Sequence, residues 1–120
     1  MTVATSSILN IEELLTRVDD DRELLVELFL IFKSVFPANF QRLSDAVRLE
    51  EAKNIQIEGH TLKGMLLNLA AHRAAAAAGE LEQRGRESQF SGLKEALAEL
   101  QSEVDILRSA MDERTSEFTP

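Results

Sequence analysis

Apolar residues recur at helical spacing almost from end to end of this chain, and no segment alternates in the manner of a strand. Ile11, Leu14, Leu15 and Val18 mark a short amphipathic helix entered at Asn10, a good N-cap residue. Too short to stand alone, it is expected to cover one end of a larger bundle. Asp20-Asp21-Arg22-Glu23 has the form of a capping box and starts a second, long helix. Its apolar positions, Leu25, Leu28, Phe29, Phe32, Phe36, Phe40, Leu43 and Val47, run straight through Pro37. Proline removes one helical hydrogen bond and crowds the carbonyl four residues back, so a kink is expected near Lys33 to Pro37. A break into two helices is the alternative. The phenylalanine row reads as core packing.

The chain then reverses over Leu49 to Asn54 and enters a third helix with Ile55, Gly59, Leu62, Leu66 and Leu69 on one side, ending near Ala70 or Ala71. Arg73 to Arg84 is alanine-rich, which favours helix and lets a neighbouring helix come close. Gly85 to Gln89 reads as a turn, with Ser91 capping the last helix. There Phe90, Leu93, Leu97, Leu100, Val104, Leu107 and Met111 alternate spacings of three and four, a heptad seam that packs helices at a shallow angle. The fold class expected is all-α: an antiparallel four-helix bundle over residues 11–113 with a short extra N-terminal helix. Residues 1–10 read as a flexible leader, with Ile8 placed to pack at its end, and 114–120 as a frayed tail.

Composition narrows the function classes. With 120 residues the chain is one domain, and the absence of cysteine excludes disulfides, thiolate chemistry and the usual zinc sites. Thirteen basic against 21 acidic residues give a net charge of −8, which disfavours nucleic acid and acidic membrane surfaces as partners. The segment before Ile8 has no basic, then apolar, signal pattern, and the apolar run Leu24 to Phe36 carries Glu27 and Lys33 and is too short to span a bilayer. A cytoplasmic protein is expected. A monomer is expected as well, because each strong apolar stripe has a use within one bundle.

On the third helix His60 points almost directly away from the apolar stripe, so it should face water. Lys63 and Gly64, three and four residues on, are its surface neighbours. An imidazole in water is largely neutral at pH 7 and nucleophilic. The ammonium would offset negative charge arriving on it, and the glycine removes a side chain that would block a large partner. Leu67 and Ala71 fall on the same outward face, Gln56 borders it, and Phe40 is the candidate extension from the long helix, together a partner-docking patch. His72 has Ala75 and Ala76 at the corresponding positions and reads as structural. Glu12, Glu13, Glu50, Glu51, Glu80 and Glu82 read as solvated faces, since none forms an inward Glu-x-x-His pair of the sort that binds metal.

His60-Thr61-Leu62-Lys63-Gly64, followed by Asn68 and by Leu81-Glu82, resembles the histidine-containing phosphotransfer (HPt) domain of two-component phosphorelays. The similarity runs from about Ile11 to Arg108 and includes Ile11-Glu12-Glu13-Leu14-Leu15 and the Phe36-Pro37 pair. It departs at Met65 and Leu66, where small residues are common, and at Ala70, where glycine is common. The resemblance implies a phosphohistidine carrier, not an enzyme with its own cofactor: His60 takes a phosphoryl group from a receiver-domain aspartyl phosphate and passes it to another receiver. Lys63 would stabilise the transferring group, Gly64 would admit the partner, and Mg²⁺ would come from the receiver. Response-regulator receivers and a sensor or hybrid histidine kinase are the implied partners. An adaptor bundle that binds such domains without accepting phosphate is the alternative. A histidine-kinase dimerisation hairpin is disfavoured, because its histidine is usually followed by acidic and then Arg and Pro residues.

Overall fold

The computed structural model describes residues 7–118, so the leader residues Met1–Ser6 and the last two residues of the expected tail lie outside the described residues. After Asn10 the chain forms five helices: α1 (Ile11–Arg17), α2 (Arg22–Arg48), α3 (Ala52–Asn68), α4 (His72–Arg86) and α5 (Leu93–Phe118). The four long helices pack as a ring, in which α2 meets α3 and α5, and α4 meets α3 and α5. Around the axis of this bundle Leu25, Phe29, Leu43, Ile55, Leu62, Leu66, Leu81, Leu100, Val104 and Leu107 are fully buried. The stripes read from the sequence therefore meet in one core.

Pro37 lies inside an unbroken α2, which removes the two-helix alternative. The proline is exposed, so water can take the carbonyl it leaves without a donor, while Phe36 on its inner side is buried. Phe32, Phe36 and Phe40 stack along the helix at centroid spacings of 5.3 and 5.4 Å. Asp21 caps α2 by accepting from the Leu24 amide.

Several expectations are corrected. The stretch Ser7–Asn10 is not loose: Leu9 is buried and the Asn10 amide donates to the Ala70 carbonyl at 3.1 Å, while Ile8 packs against the core and Asn10 caps α1 as expected. At the other end α5 continues to Phe118 instead of fraying at Thr115, because Phe118 falls one heptad beyond Met111 and packs on the core under the Arg22 guanidinium, 5.1 Å from its ring centre. Gly85 belongs to α4, and α5 starts after Gly92, whose carbonyl accepts from the Ala96 amide. Ser91 is not the cap; its carbonyl accepts from Arg84.

The third helix ends at Asn68, not at Ala70 or Ala71. Ala70 takes a left-handed backbone (φ 52°), and the amides of Ala70 and Ala71 donate back to the carbonyls of Leu67 and Leu66 at 3.0 Å each. This is a Schellman ending with alanine where glycine is usual. Arg17 of α1 donates to the carbonyls of Leu67 and Asn68, both at 3.1 Å, giving the Asn68 carbonyl a donor that the helix C-terminus does not supply and the Leu67 carbonyl a second one. His72 has the structural role expected of it, bonding Glu13 through Nε2 at 2.9 Å and so tying α4 to α1.

Candidate functional site

The site is set by how closely α4 approaches α3. A Cβ on Gly59 would lie 2.8 Å from the Glu82 backbone nitrogen, and one on Gly85 would lie 2.5 Å from that of Gln56. Only glycine permits these contacts, and toward the start of α4 Ala78, whose carbonyl would lie 3.3 Å from a Gly59 Cβ, and the small Ala75 and Ala74 are also buried. The consequence is that Glu82, one residue on from the buried Leu81, is enclosed against the root of His60 and only 5% exposed. This corrects the reading of Glu82 as a solvated side chain.

His60 faces water as expected, with 69% of its side chain exposed, but its Nδ1 lies 2.9 Å from Glu82 Oε2. Lys63 Nζ sits 2.9 Å from Oε1 of the same carboxylate, and Arg86 Nη2 lies 3.0 Å from Oε2. Burial pushes the Glu82 carboxyl up, yet the hydrogen bonds from Lys63 and His60 and their charges outweigh it, so its pKa is held below the ordinary 4.5. An ionised carboxylate only accepts hydrogen bonds, so the Nδ1 that faces it carries the ring proton. In the neutral ring the lone pair is then on Nε2, the nitrogen not engaged by Glu82. A fixed tautomer of this kind makes His60 a nucleophile at one defined atom.

Lys63 reaches Glu82 with its stem across Gly79, whose added Cβ would stand 3.2 Å from Lys63 Cδ. Gly64 is different. A Cβ there would meet no atom within 4 Å, so packing inside the chain gives no reason for glycine at this position.

His60 opens on a cleft of about 370 Å³ lined by Lys53, Gln56, Ile57, Thr61, Glu82 and Arg86. Gln56 thus borders the site as predicted, and Leu67 is exposed on the outward face. Ala71 is not on that face: the helix has ended and the turn tucks Ala71 into the core at 0% exposure. Phe40 is half-buried against Phe36 and lines neither the cleft nor the apolar groove of about 160 Å³ beside α3. That groove is formed by Leu28, Ile31, Phe32 and Val35 of α2 with Met65, Asn68 and Leu69. Ile31 and Val35 are 57% and 41% exposed. Their spacing from Leu28 is a second helical stripe beside the phenylalanine row, a signal the single-stripe reading passed over. Arg86 was missed for a different reason: it stands one turn after Glu82, and only the burial of Glu82 gives it a role.

A larger cavity of about 560 Å³, between the end of α2 and the start of α5, is lined by Val47, Arg48, Phe90 and Lys94 among others and includes none of the His60 site. Among the described residues no three His, Asp or Glu side chains are grouped to hold a metal ion, and no helix is long and apolar enough to cross a membrane.

The fold and site define a helical bundle that presents one oriented, cation-flanked imidazole on its surface. Residues 27–110 match the family described as the Hpt domain, and the chain belongs to that family. Domains of this family serve histidine phosphotransfer in phosphorelays and interact there with receiver domains and kinases. The matched span contains His60, Lys63, Gly64, Glu82 and Arg86 and leaves α1 outside it. No curated protein and no solved structure matches the chain.

Proposed function

We propose that this chain is a phosphorelay carrier whose phosphoryl group rides on Nε2 of His60. The observation that carries this reading is the 2.9 Å contact between His60 Nδ1 and the enclosed Glu82 carboxylate. In the accepting step the Nε2 lone pair attacks the phosphorus of an aspartyl phosphate. The N–P bond forms, the O–P bond breaks, and the electron pair leaves with the receiver carboxylate. No proton has to move, because the ring gains positive charge while Nδ1–H already faces Glu82. The donating step is the reverse, and neutral imidazole is the leaving group. Lys63 offsets the negative charge that accumulates, and Mg²⁺ belongs to the receiver, so the catalytic work is shared between the two proteins.

The receiver is received on the outward face of α3. Gly64 leaves it open space, and Ile57, Leu67 and the groove of Ile31, Val35 and Met65 offer an uncharged apolar surface next to the nucleophile. Gln56 borders this surface on the cleft side. The four long helices run antiparallel in succession, and the domain acts in the cytoplasm as a monomer.

Phosphoryl transfer from a panel of phosphorylated receivers to wild type and to His60→Gln tests the proposal. Wild type is expected to take an acid-labile, base-stable phosphate that His60→Gln does not. If a receiver binds but none transfers, the carrier reading fails and the adaptor reading replaces it.

A further inference from the structure

The geometry points to Arg86 as the side chain that leaves Glu82 and takes hold of the phosphoryl group once it is on His60, a role that rests on the carrier reading above. The two oxygens of Glu82 are not equally shared. Lys63 has Oε1 to itself at 2.9 Å, whereas Oε2 serves both His60 Nδ1 at 2.9 Å and Arg86 at 3.0 Å. Phosphorylation of Nε2 makes the imidazole ring cationic and strengthens its claim on Oε2. The group that competes for that oxygen is Arg86. Its side chain is also the more exposed of the two cations, 50% against 36% for Lys63, and apart from Glu82 it is held only by a hydrogen bond to the neutral Gln83 Oε1 at 2.7 Å.

Arg86 stands where this exchange needs it. It lines the same cleft as His60, and its root is fixed because the neighbouring Gly85 lies directly against the backbone of α3 at Ala52 and Gln56. A guanidinium can give a phosphoryl group two parallel hydrogen bonds, which an ammonium cannot. The free protein therefore stores this cation on a carboxylate, and the phosphorylated protein redeploys it. The competing assignment is that Arg86 only neutralises Glu82.

The wild-type 120-residue chain, Arg86→Ala and Arg86→Lys are labelled with phosphoramidate, a small phosphoryl donor that needs no docked partner, and phosphorus NMR follows the phosphohistidine across its second protonation. A cation on the phosphoryl oxygens favours the dianion. Arg86→Ala is expected to raise the proton affinity of the phosphoryl group about threefold to tenfold, with partial recovery in Arg86→Lys. In exchange with a receiver, the share of phosphate on His60 should fall by a similar factor. Equal titration midpoints in wild type and Arg86→Ala, in proteins with matching circular dichroism and melting, overturn the assignment and leave Arg86 as a static partner of Glu82 and Gln83. If phosphoramidate labels His60 but no receiver donates to it, the carrier reading fails while Arg86 is still judged by its midpoint. A wild type that phosphoramidate does not label overturns both.

Discussion

The two faces of α3 are built in opposite ways. Toward α4 the helix is pressed into backbone contact, with Gly59 and Gly85 each filling a space that a methyl group would overfill. Toward solvent and α2 it presents Gly64 with nothing near it, exposed Ile57 and Leu67, and an unfilled groove at Met65. The tight face holds the imidazole, the carboxylate that orients it, and the Lys63 and Arg86 side chains that partner that carboxylate. The open face has no use within the chain, and its apolar surface is what a partner would cover. On the carrier reading proposed above, this division would keep the imidazole fixed while the docking surface adapts to more than one partner.

Breaking the tight face should have the largest effect. Gly85→Ala places its methyl 2.5 Å from one backbone atom and 2.8 Å from another, contacts that only a shift of α4 can relieve. The gain in helix propensity, about 1 kcal/mol, does not offset the overpacking, and a net loss of about 1–3 kcal/mol in urea unfolding is expected. The same shift draws Glu82 from His60, so transfer should slow as well. A variant as stable as wild type would show that α3 and α4 are not in backbone contact.

Acid exposes the carboxylate on which this face is anchored. Glu82 has its pKa held below 4.5 in the folded chain, so the stability it lends is fully present above the unfolded value and is lost as the pH falls through the lower folded one. Unfolding free energy measured against pH should therefore decline below about pH 4.5 more steeply in wild type than in Glu82→Gln, which keeps a neutral side chain throughout. Parallel acid limbs would mean that Glu82 is not engaged by His60 and Lys63.

On the open face the same kind of substitution should change sign. Gly64→Ala meets no atom within 4 Å, so it is expected to stabilise the protein by about 0.5–1 kcal/mol through helix propensity. It should nevertheless slow transfer from receivers, because the methyl occupies the partner's space. Stability and transfer moving together in both glycine variants would remove the distinction between the faces.

How much of this was legible in the sequence follows the same division. His60, Lys63 and Gly64 were readable because their placement depends only on the turn of one helix and the stripe of Leu62, Leu66 and Ile55 opposite. Glu82 was not, since a carboxylate beside the stripe of Ala78 and Leu81 is ordinarily solvated. What encloses it is the closeness of another helix, and Gly59 inside an apolar stripe was the trace of that closeness. Two helix ends were misplaced for a local reason. At Ala70 and Ser88 the chain takes φ of 52° and 51° without a glycine, so the usual stop signal is missing both times. Phe118 was lost to the tail because the seam was followed only to Met111.

Those glycine-free turns give the smallest and sharpest contrast. A left-handed residue other than glycine costs about 1–2 kcal/mol, against about 0.5–1 kcal/mol that glycine costs by loosening the unfolded chain. Ser88 is exposed, so Ser88→Gly should gain about 0.5–1 kcal/mol. Ala70 has the same backbone but is fully buried between α3 and α4, and its methyl is worth about 0.8 kcal/mol of burial. Relief of strain and loss of packing then nearly cancel, and Ala70→Gly should stay within about 0.5 kcal/mol of wild type. Equal gains in urea unfolding for both would mean that the Ala70 methyl is not packed. Unequal gains would mean that alanine is kept at position 70 for its buried methyl in spite of the backbone it must adopt.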